Sequence, residues 1–535
     1  MSTFKVTIDG REVEAQPGQT VLDVARGIGI DIPTLCHLEK CGPLNSCLVC
    51  LVKVLINGQG RMVPSCGTKV AAGMVIESET VEVHDVRRTA LELLFSDHVG
   101  DCLSPCNRLC PLQLNIPLMM RQIQSEHLDE ALLTVRDALP LAGILGRLCH
   151  HPCEQGCRRA NLDNAAAIKD LERFVTDRAP AEEEKSRTRC KPSSGKNVAI
   201  VGAGPAGLSA AFTLRKEGHA VVVLDRGTQP GGTLRAVPEA ELEAGILERE
   251  IALLKKLGVE FKPSTELGVT VSLAELETSH GAVLITIGEA SGQPGLRSDL
   301  AMTGAALKVD PNTFQTSRNG VFAAGAVMKP VKQVVRAMAE GRTAAECVNQ
   351  YLLGKPLQKG GKQFSSVMGR LSPGELRTML LGYHASEKPR GCDRCATMSR
   401  PEAVLEASRC MHCDCESSGH CALQHYAQVY DVDANHYKSE RRTYAIQQQP
   451  GGVIFEPGKC IICGICVRLT ELASEPLGLS FIGRGFDVRV AAPFNRDISD
   501  GLRSVAAECV RECPTGALNF APSASDSKPT PPAAS

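Results

Sequence analysis

The chain has 535 residues, enough at roughly 100–200 residues per domain for about three to five domains. Hydrophobic residues make up 43% and charged residues 22%, with 59 basic against 60 acidic side chains, which excludes wholesale disorder and a strongly basic nucleic-acid surface. Trp is absent and aromatics reach only 4%, excluding stacking platforms for single strands, whereas the 24 cysteines require a use. No basic segment followed by an apolar one opens the sequence, and no run of about 18 apolar residues occurs, so a cytoplasmic chain without a transmembrane segment is expected. In that reducing setting, closely spaced cysteines hold metal as thiolates rather than cross-link the fold.

Residues 1–85 alternate in strand fashion (FKVTIDG, REVEAQ), pass through a short helix (VLDVARGIGI) and enter a loop carrying Cys36, Cys47, Cys50 and Cys66. The spacing is C-x10-C-x2-C-x15-C, and four thiolates give each iron of a 2Fe-2S centre its two protein sulfurs. A zinc knuckle is the alternative, and Cys41 is left over. The segment resembles the N-terminal 2Fe-2S domain of the large iron–sulfur subunit of respiratory complex I and of related hydrogenase subunits, which implies a β-grasp ferredoxin-like domain.

Residues 86–190 carry helical apolar spacing (RRTALELLF, IPLMMRQIQ, LDEALLTVRDAL) and end in a charged, proline-containing linker. His98, Cys102, Cys106 and Cys110 stand at four-residue intervals, and Cys149, Cys153 and Cys157 repeat the interval. Such spacing also suits a plain core stripe, but prolines at 105, 111 and 152 interrupt the helices and let thiolates converge on one cluster. The second half resembles the N-terminal iron–sulfur domain of the glutamate synthase small subunit and of dihydropyrimidine dehydrogenase. The resemblance implies two 4Fe-4S clusters with one non-cysteine ligand, and Glu172 stands at the matching point. That family's opening C-x2-C-x4 pair is missing here, and His98-x3-Cys102 instead resembles the His-plus-three-Cys motif of the complex I large subunit. His98, Glu172 and the six cysteines make eight ligands for two cubanes, with Cys110 expected to cross to the second block and Cys157 to the first by analogy with two-cluster ferredoxins.

Residues 196–357 read as α/β. NVAIVGAGPAGLSAAFTLRKEGHAVVVLDR is a strand, glycine turn, helix and second strand, the context that gives G-x-G-x-x-G meaning. Gly202 makes the turn, Gly204 admits a pyrophosphate to the helix N-terminus, Gly207 allows close packing, and Asp225 is placed to accept from a ribose hydroxyl. A structural Rossmann domain with an empty site is the alternative. PGGTLR with Gly232, then AVLITIG, then NGVFAAGAVMKP with Gly325 follow in an order that resembles the FAD domain of the glutamate synthase small-subunit family, implying FAD. Two departures stand out: no second glycine fingerprint for a nicotinamide domain lies between AVLITIG and VFAAG, and Ala326 follows Gly325 where the family has Asp.

Residues 358–448 form a Cys-rich connecting region. Cys410, Cys413, Cys415 and Cys421 suit a 4Fe-4S cluster, whereas Cys392-x2-Cys395 with Cys410-x2-Cys413 spells a zinc ribbon. Residues 449–520 carry Cys460, Cys463 and Cys466 as C-x2-C-x2-C, with Cys513 in ECP as the crossing fourth ligand of one cubane. This stretch also resembles the complex I large subunit, implying a second ferredoxin-like domain. Cys509, Cys190 and Cys347 are spares, and residues 521–535 read as a disordered tail.

The expected fold class is multidomain, α+β and α/β: an N-terminal β-grasp ferredoxin-like domain, a helical iron–sulfur domain, a Rossmann-type FAD domain and a C-terminal ferredoxin-like domain. The expected function is an iron–sulfur flavoprotein oxidoreductase with one 2Fe-2S centre, three or four 4Fe-4S clusters and FAD, passing electrons as a subunit beside an NADH-oxidising flavoprotein, a hydrogenase or a formate dehydrogenase. Two alternatives remain: an autonomous NAD(P)H-dependent enzyme of the glutamate synthase small-subunit kind, and a non-catalytic wiring subunit with an empty Rossmann domain. No triad or paired carboxylates identify a catalytic residue.

Overall fold

The computed structural model describes residues 3–56, 59–178, 188, 190–289, 299–361, 363–382, 398–417, 419–448 and 452–520. Cys392, Cys395 and the tail after Phe520 lie outside the described residues. The chain divides into two compact units, one of Met1–Ser104, Gln363–Ala385 and Met411–Ser535, the other of Pro105–Lys362 and Ser386–Cys410.

The first unit opens with a hairpin. Phe4–Ile8 pairs antiparallel with Arg11–Ala15 across Asp9-Gly10, both at positive φ (47° and 77°), the combination that a tight hairpin with right-handed strand twist requires. Thr20 then starts the helix Val21–Gly27 through a capping box with Asp23, and Val21, Leu22, Val24 and Ala25 pack under the sheet. The five-stranded mixed sheet runs in the order Arg11–Ala15, Phe4–Ile8, Val75–Glu77, Leu51–Ile56, Gln59–Pro64. The helix Val81–Ser96 is fastened by Arg87, fully buried, whose guanidinium donates to the Leu51 carbonyl at 3.0 Å and the Tyr430 hydroxyl at 2.9 Å. Farther along the chain, Gln447–Gln448, Val453–Phe455 and Leu518–Phe520 form a three-stranded antiparallel sheet beside the helices Ile465–Leu472 and Ala506–Glu512. Leu35, Cys36, Cys47, Cys463, Ile465, Leu469 and Cys509 share one core, so the first cysteine loop packs on the last.

The second unit joins short helices to a parallel sheet. As expected, the helical run is interrupted at Pro105 and Pro152, each standing at the first position of a new short helix, Pro105–Leu109 and Pro152–Gln155, where the missing N–H costs nothing. Ile116–Gln124, Leu128–Ala138, Ala142–Leu148 and Ile168–Asp177 follow. The sheet order is Val259–Lys262, Ala220–Leu224, Asn197–Val201, Ala282–Ile285, Val321–Ala323, every neighbouring pair parallel. The buried pair Arg136 and Glu250, bonded twice at 2.7 and 2.9 Å, pins the helices to this sheet layer, and the same carboxylate accepts from Gly143 N–H at 2.9 Å. Among the described residues, no helix is long and apolar enough to cross a membrane.

Candidate cofactor sites

Every cysteine among the described residues is a free thiol. In the first loop the thiols stand in two pairs. Cys47 N–H donates to Cys36 Sγ at 3.4 Å, and Cys50 Sγ lies 3.4 Å from Cys66 Sγ. The neighbouring thiol of each pair holds one member low, Cys36 and Cys50, while the other, Cys47 and Cys66, is pushed up. Two pairs fit two irons, each needing two sulfurs. Among the described residues, no three of His, Cys, Asp and Glu stand close enough to hold a single metal ion. Cys41 is buried in the same core, pushed up by burial, and stands outside these pairs.

Cys460, Cys463, Cys466 and Cys513 line one small cavity with Phe455, Ile465 and Cys509. Burial pushes the Cys460 thiol up to about 11 and raises Cys463 and Cys466 as well. Thiols drawn together away from water ionise at low cost only beside a positive charge such as a bound metal cation. The loop touches the first one: Ser46 Oγ donates to the Cys463 carbonyl at 3.1 Å.

Near it lies a third group within the first unit, drawn from distant segments. Cys415 N–H donates to the Cys102 carbonyl at 3.4 Å, and Cys102 Sγ meets Ser366 Oγ at 3.4 Å. Burial pushes Cys415 up to about 12, with Cys421 and Cys102 adding to it, and Cys421 up to about 11, with Cys102 and Cys513 adding to it. A Cβ on Gly516 would stand 2.3 Å from Cys415 Sγ, so the backbone there presses directly on the thiol. His98 is held neutral, at about 3, chiefly by burial and then by Lys459 and Lys438, and its Nδ1 has no hydrogen-bond partner. A neutral imidazole with an idle ring nitrogen is the metal-ligating form. The unit boundary runs through the expected grouping: His98, Cys102, Cys415 and Cys421 lie in this unit, with Cys102 and Cys421 close enough to Cys415 to raise it, while Cys106, Cys110 and Cys410 lie in the other. A whole folded segment separates Ser104 from Met411, so spacing along the chain hides the association.

In the second unit, Cys110, Cys149, Cys153 and Glu172 form one buried group. Burial and then the Glu172 carboxylate push Cys110 up to about 11 and Cys149 up to about 12, and raise Cys153. Glu172 itself is raised to about 8 by burial, then by Glu154. Cys157, half-buried, lies against the N–H groups of Ala166, Arg159 and Ala160. Cys106, Cys157 and Cys410 all pack on the same core, and Arg159 donates to the Arg409 carbonyl at 3.1 Å, drawing the Cys410 segment onto the Cys157 turn.

The same unit holds a cleft of about 510 Å³ lined by Gly202, Gly204, Asp225, Gly232, Gly325 and Ala326 among others. Its volume lies within the usual range for cofactor sites. Gly202 has φ 109°, which L side chains rarely adopt, and a Cβ on Gly207 would stand 1.9 Å from the Gly202 carbonyl oxygen. At Gly204 the corresponding space is open. The helix Pro205–Lys216 begins there without a side-chain cap, leaving its N–H groups and dipole for an anion. Asp225 accepts from Ala203 N–H at 2.6 Å and Gly227 N–H at 2.7 Å, so its carboxylate also fixes the glycine turn. Residues Gln333, Val334 and Ala337, at the start of the helix Val334–Leu352, close one wall. Arg342 of that helix donates to the Leu112 carbonyl at 3.0 Å, and the Arg336 charge reaches His150, beside Cys149. The cleft wall therefore adjoins the Cys110–Cys149 group. The glycine cradle fits a dinucleotide pyrophosphate, while Ala326 brings no carboxylate to the cleft.

Sequence reasoning missed the buried Lys459–Glu456–Tyr444 cluster and the Ser366 contact to Cys102. A lysine directly before Cys460 was the visible signal for the first; nothing marked the second.

Three family models match the chain: 2Fe-2S iron-sulfur cluster binding domain over residues 2–81, dihydropyrimidine dehydrogenase domain II, 4Fe-4S cluster, over 97–184, and pyridine nucleotide-disulphide oxidoreductase over 164–341. Among curated relatives, NADP(+)-dependent formate dehydrogenase subunit beta of Moorella thermoacetica is 36% identical over 219 residues, covering 37% of this chain and 31% of that one. NAD-dependent dihydropyrimidine dehydrogenase subunit PreT of Escherichia coli O157:H7 is 37% identical, covering 35% and 46%. Glutamate synthase [NADPH] small chain of Bacillus subtilis is 37% identical, covering 34% and 36%. The chain thus spans less than half the length of these three relatives. It is a multidomain mixed α/β protein that joins 2Fe-2S, 4Fe-4S and pyridine-nucleotide oxidoreductase domains in one chain.

Proposed function

We propose that the chain is an iron–sulfur flavoprotein oxidoreductase that passes electrons between FAD in the second unit's cleft and a series of clusters. FAD exchanges two electrons with a donor and single electrons with iron–sulfur clusters. Cys36 and Cys47 would hold one iron of a 2Fe-2S centre, Cys50 and Cys66 the other. Cys460, Cys463, Cys466 and Cys513 would hold one cubane, His98, Cys102, Cys415 and Cys421 a second, and Cys110, Cys149, Cys153 and Glu172 a third. Cys106, Cys157 and Cys410 would supply three ligands of a fourth. Gly202, Gly204, Gly207, Gly232 and Gly325 would seat the dinucleotide and Asp225 would orient it. The observation that carries this reading is the adjacency of a glycine-cradled cleft and a buried three-thiol, one-carboxyl group along one helix.

Among the described residues one parallel sheet carries a glycine-cradled cleft, and the electrons would come from or go to another redox subunit, of formate dehydrogenase, hydrogenase or NADH-oxidising type, in the cytoplasm. A second reading, direct oxidation of NAD(P)H, is favoured by Arg226 and Lys332 lining the cleft, two cations suited to nucleotide phosphates. Anaerobic analysis of iron, sulfide and flavin tests the first reading: about 18 iron atoms with one FAD per chain are expected from one two-iron and four four-iron centres. An iron-free chain, or one with zinc, overturns it. Rapid bleaching of the isolated chain by NADPH would favour the second.

A further inference from the structure

The ligand sets leave one costly feature unexplained. Lys459 and Glu456, each with a side chain 3% exposed, form an ion pair inside the first unit, and the Tyr444 hydroxyl donates to the other oxygen of Glu456 at 3.3 Å. Taking both charges out of water is unfavourable, and an apolar pair of the same volume would fill the space as well. What distinguishes the pair is its setting. The Lys459 stem lies along the His98–Cys102 segment: a Cβ on Gly100 would stand 3.2 Å from Lys459 Cε and 3.0 Å from His98 Nε2, and Val99 N–H donates to the Gly458 carbonyl at 2.7 Å. The ammonium acts on His98, Cys102 and Cys415 alike.

We infer that Lys459 is a fixed cation that raises the reduction potential of the cluster held by His98, Cys102, Cys415 and Cys421, with Glu456 and Tyr444 keeping its ammonium in place. The inference rests on the ligand set proposed above. Reduction adds one electron to a cluster already surrounded by thiolates, so a buried cation nearby favours the reduced form, and it does so strongly where water cannot screen it. Lys459 is a positioning residue acting through charge; it touches no substrate. It makes this cluster the easier one to reduce relative to its unaided potential, and its place one residue before Cys460 sets it at the junction of two cluster loops.

An EPR-monitored redox titration of the anaerobically purified full chain tests this. Lys459→Met should move the midpoint potential of one 4Fe-4S signal downward, Lys459→Arg should leave it near the parent value, and Glu456→Gln should move the same signal upward. The Cys460 cluster should shift less than its neighbour. Potentials unchanged in both Lys459→Met and Glu456→Gln, with iron content intact, would overturn the inference. Failure of the underlying ligand set is separately visible: Cys102→Ser would then leave that signal in place.

Discussion

The loop around Cys36 and the pocket around Cys102 use the same thiol chemistry but gather it differently. In the loop, all four sulfurs come from residues 36–66 and stand in two pairs, the hairpin of Leu51–Ile56 and Gln59–Pro64 setting Cys66 beside Cys50. In the pocket, one thiol and one imidazole come from the start of the chain and two thiols from beyond Met411, with the second unit folded from the residues between. The difference teaches that segments far apart in sequence can bring thiols together when both return to one compact unit, as the proposed ligand set requires. Contacts brace both groups: Ser366 meets Cys102 with Lys459 and Glu456 packed beside it, and in the loop Cys66 Sγ meets Asn45 Oδ1 at 3.2 Å.

The comparison can be broken or sharpened by substitution. The largest effect is expected at Gly207→Ala, whose Cβ would meet the Gly202 carbonyl. Bound flavin per chain should fall at least tenfold while the first unit's 2Fe-2S signal persists, read by absorbance and EPR; full flavin retention would show the cleft is used otherwise. Glu250→Ala should come next. It leaves the Arg136 guanidinium buried without its bidentate partner, and a loss of about 3–5 kcal/mol is expected for the second unit in chemical unfolding. Loss of the first unit's cooperativity instead would contradict the division into two units. The smallest effect belongs to Cys41→Ser and Cys509→Ser, which should leave iron content unchanged because both thiols lie outside the four-ligand sets; a drop by either variant would add a ligand to the scheme.

Features written in one run of sequence were legible. The glycine turn at Gly202–Gly207 and the C-terminal C-x2-C-x2-C each depend on neighbours a few residues away, whereas the Asp225 carboxylate reaches back 22 residues to Ala203 N–H. Glu172 was reachable through a family pattern. The partition of His98, Cys102, Cys106 and Cys110 was not, because even four-residue spacing reads as one helical stripe, whereas the unit boundary falls between Ser104 and Pro105. Proline was informative in the same region: Pro105 and Pro152 each mark an interruption and begin a new short helix. The Lys459–Glu456 pair could not be read at all, since burial of a charge is a property of packing.

Iron and sulfide analysis of Cys102→Ser, Cys421→Ser and the double variant tests the central claim most directly. If both residues serve one cluster, each single variant loses about four irons and the double loses no more than either. A double variant that loses about eight would place the two thiols on separate clusters and contradict the account.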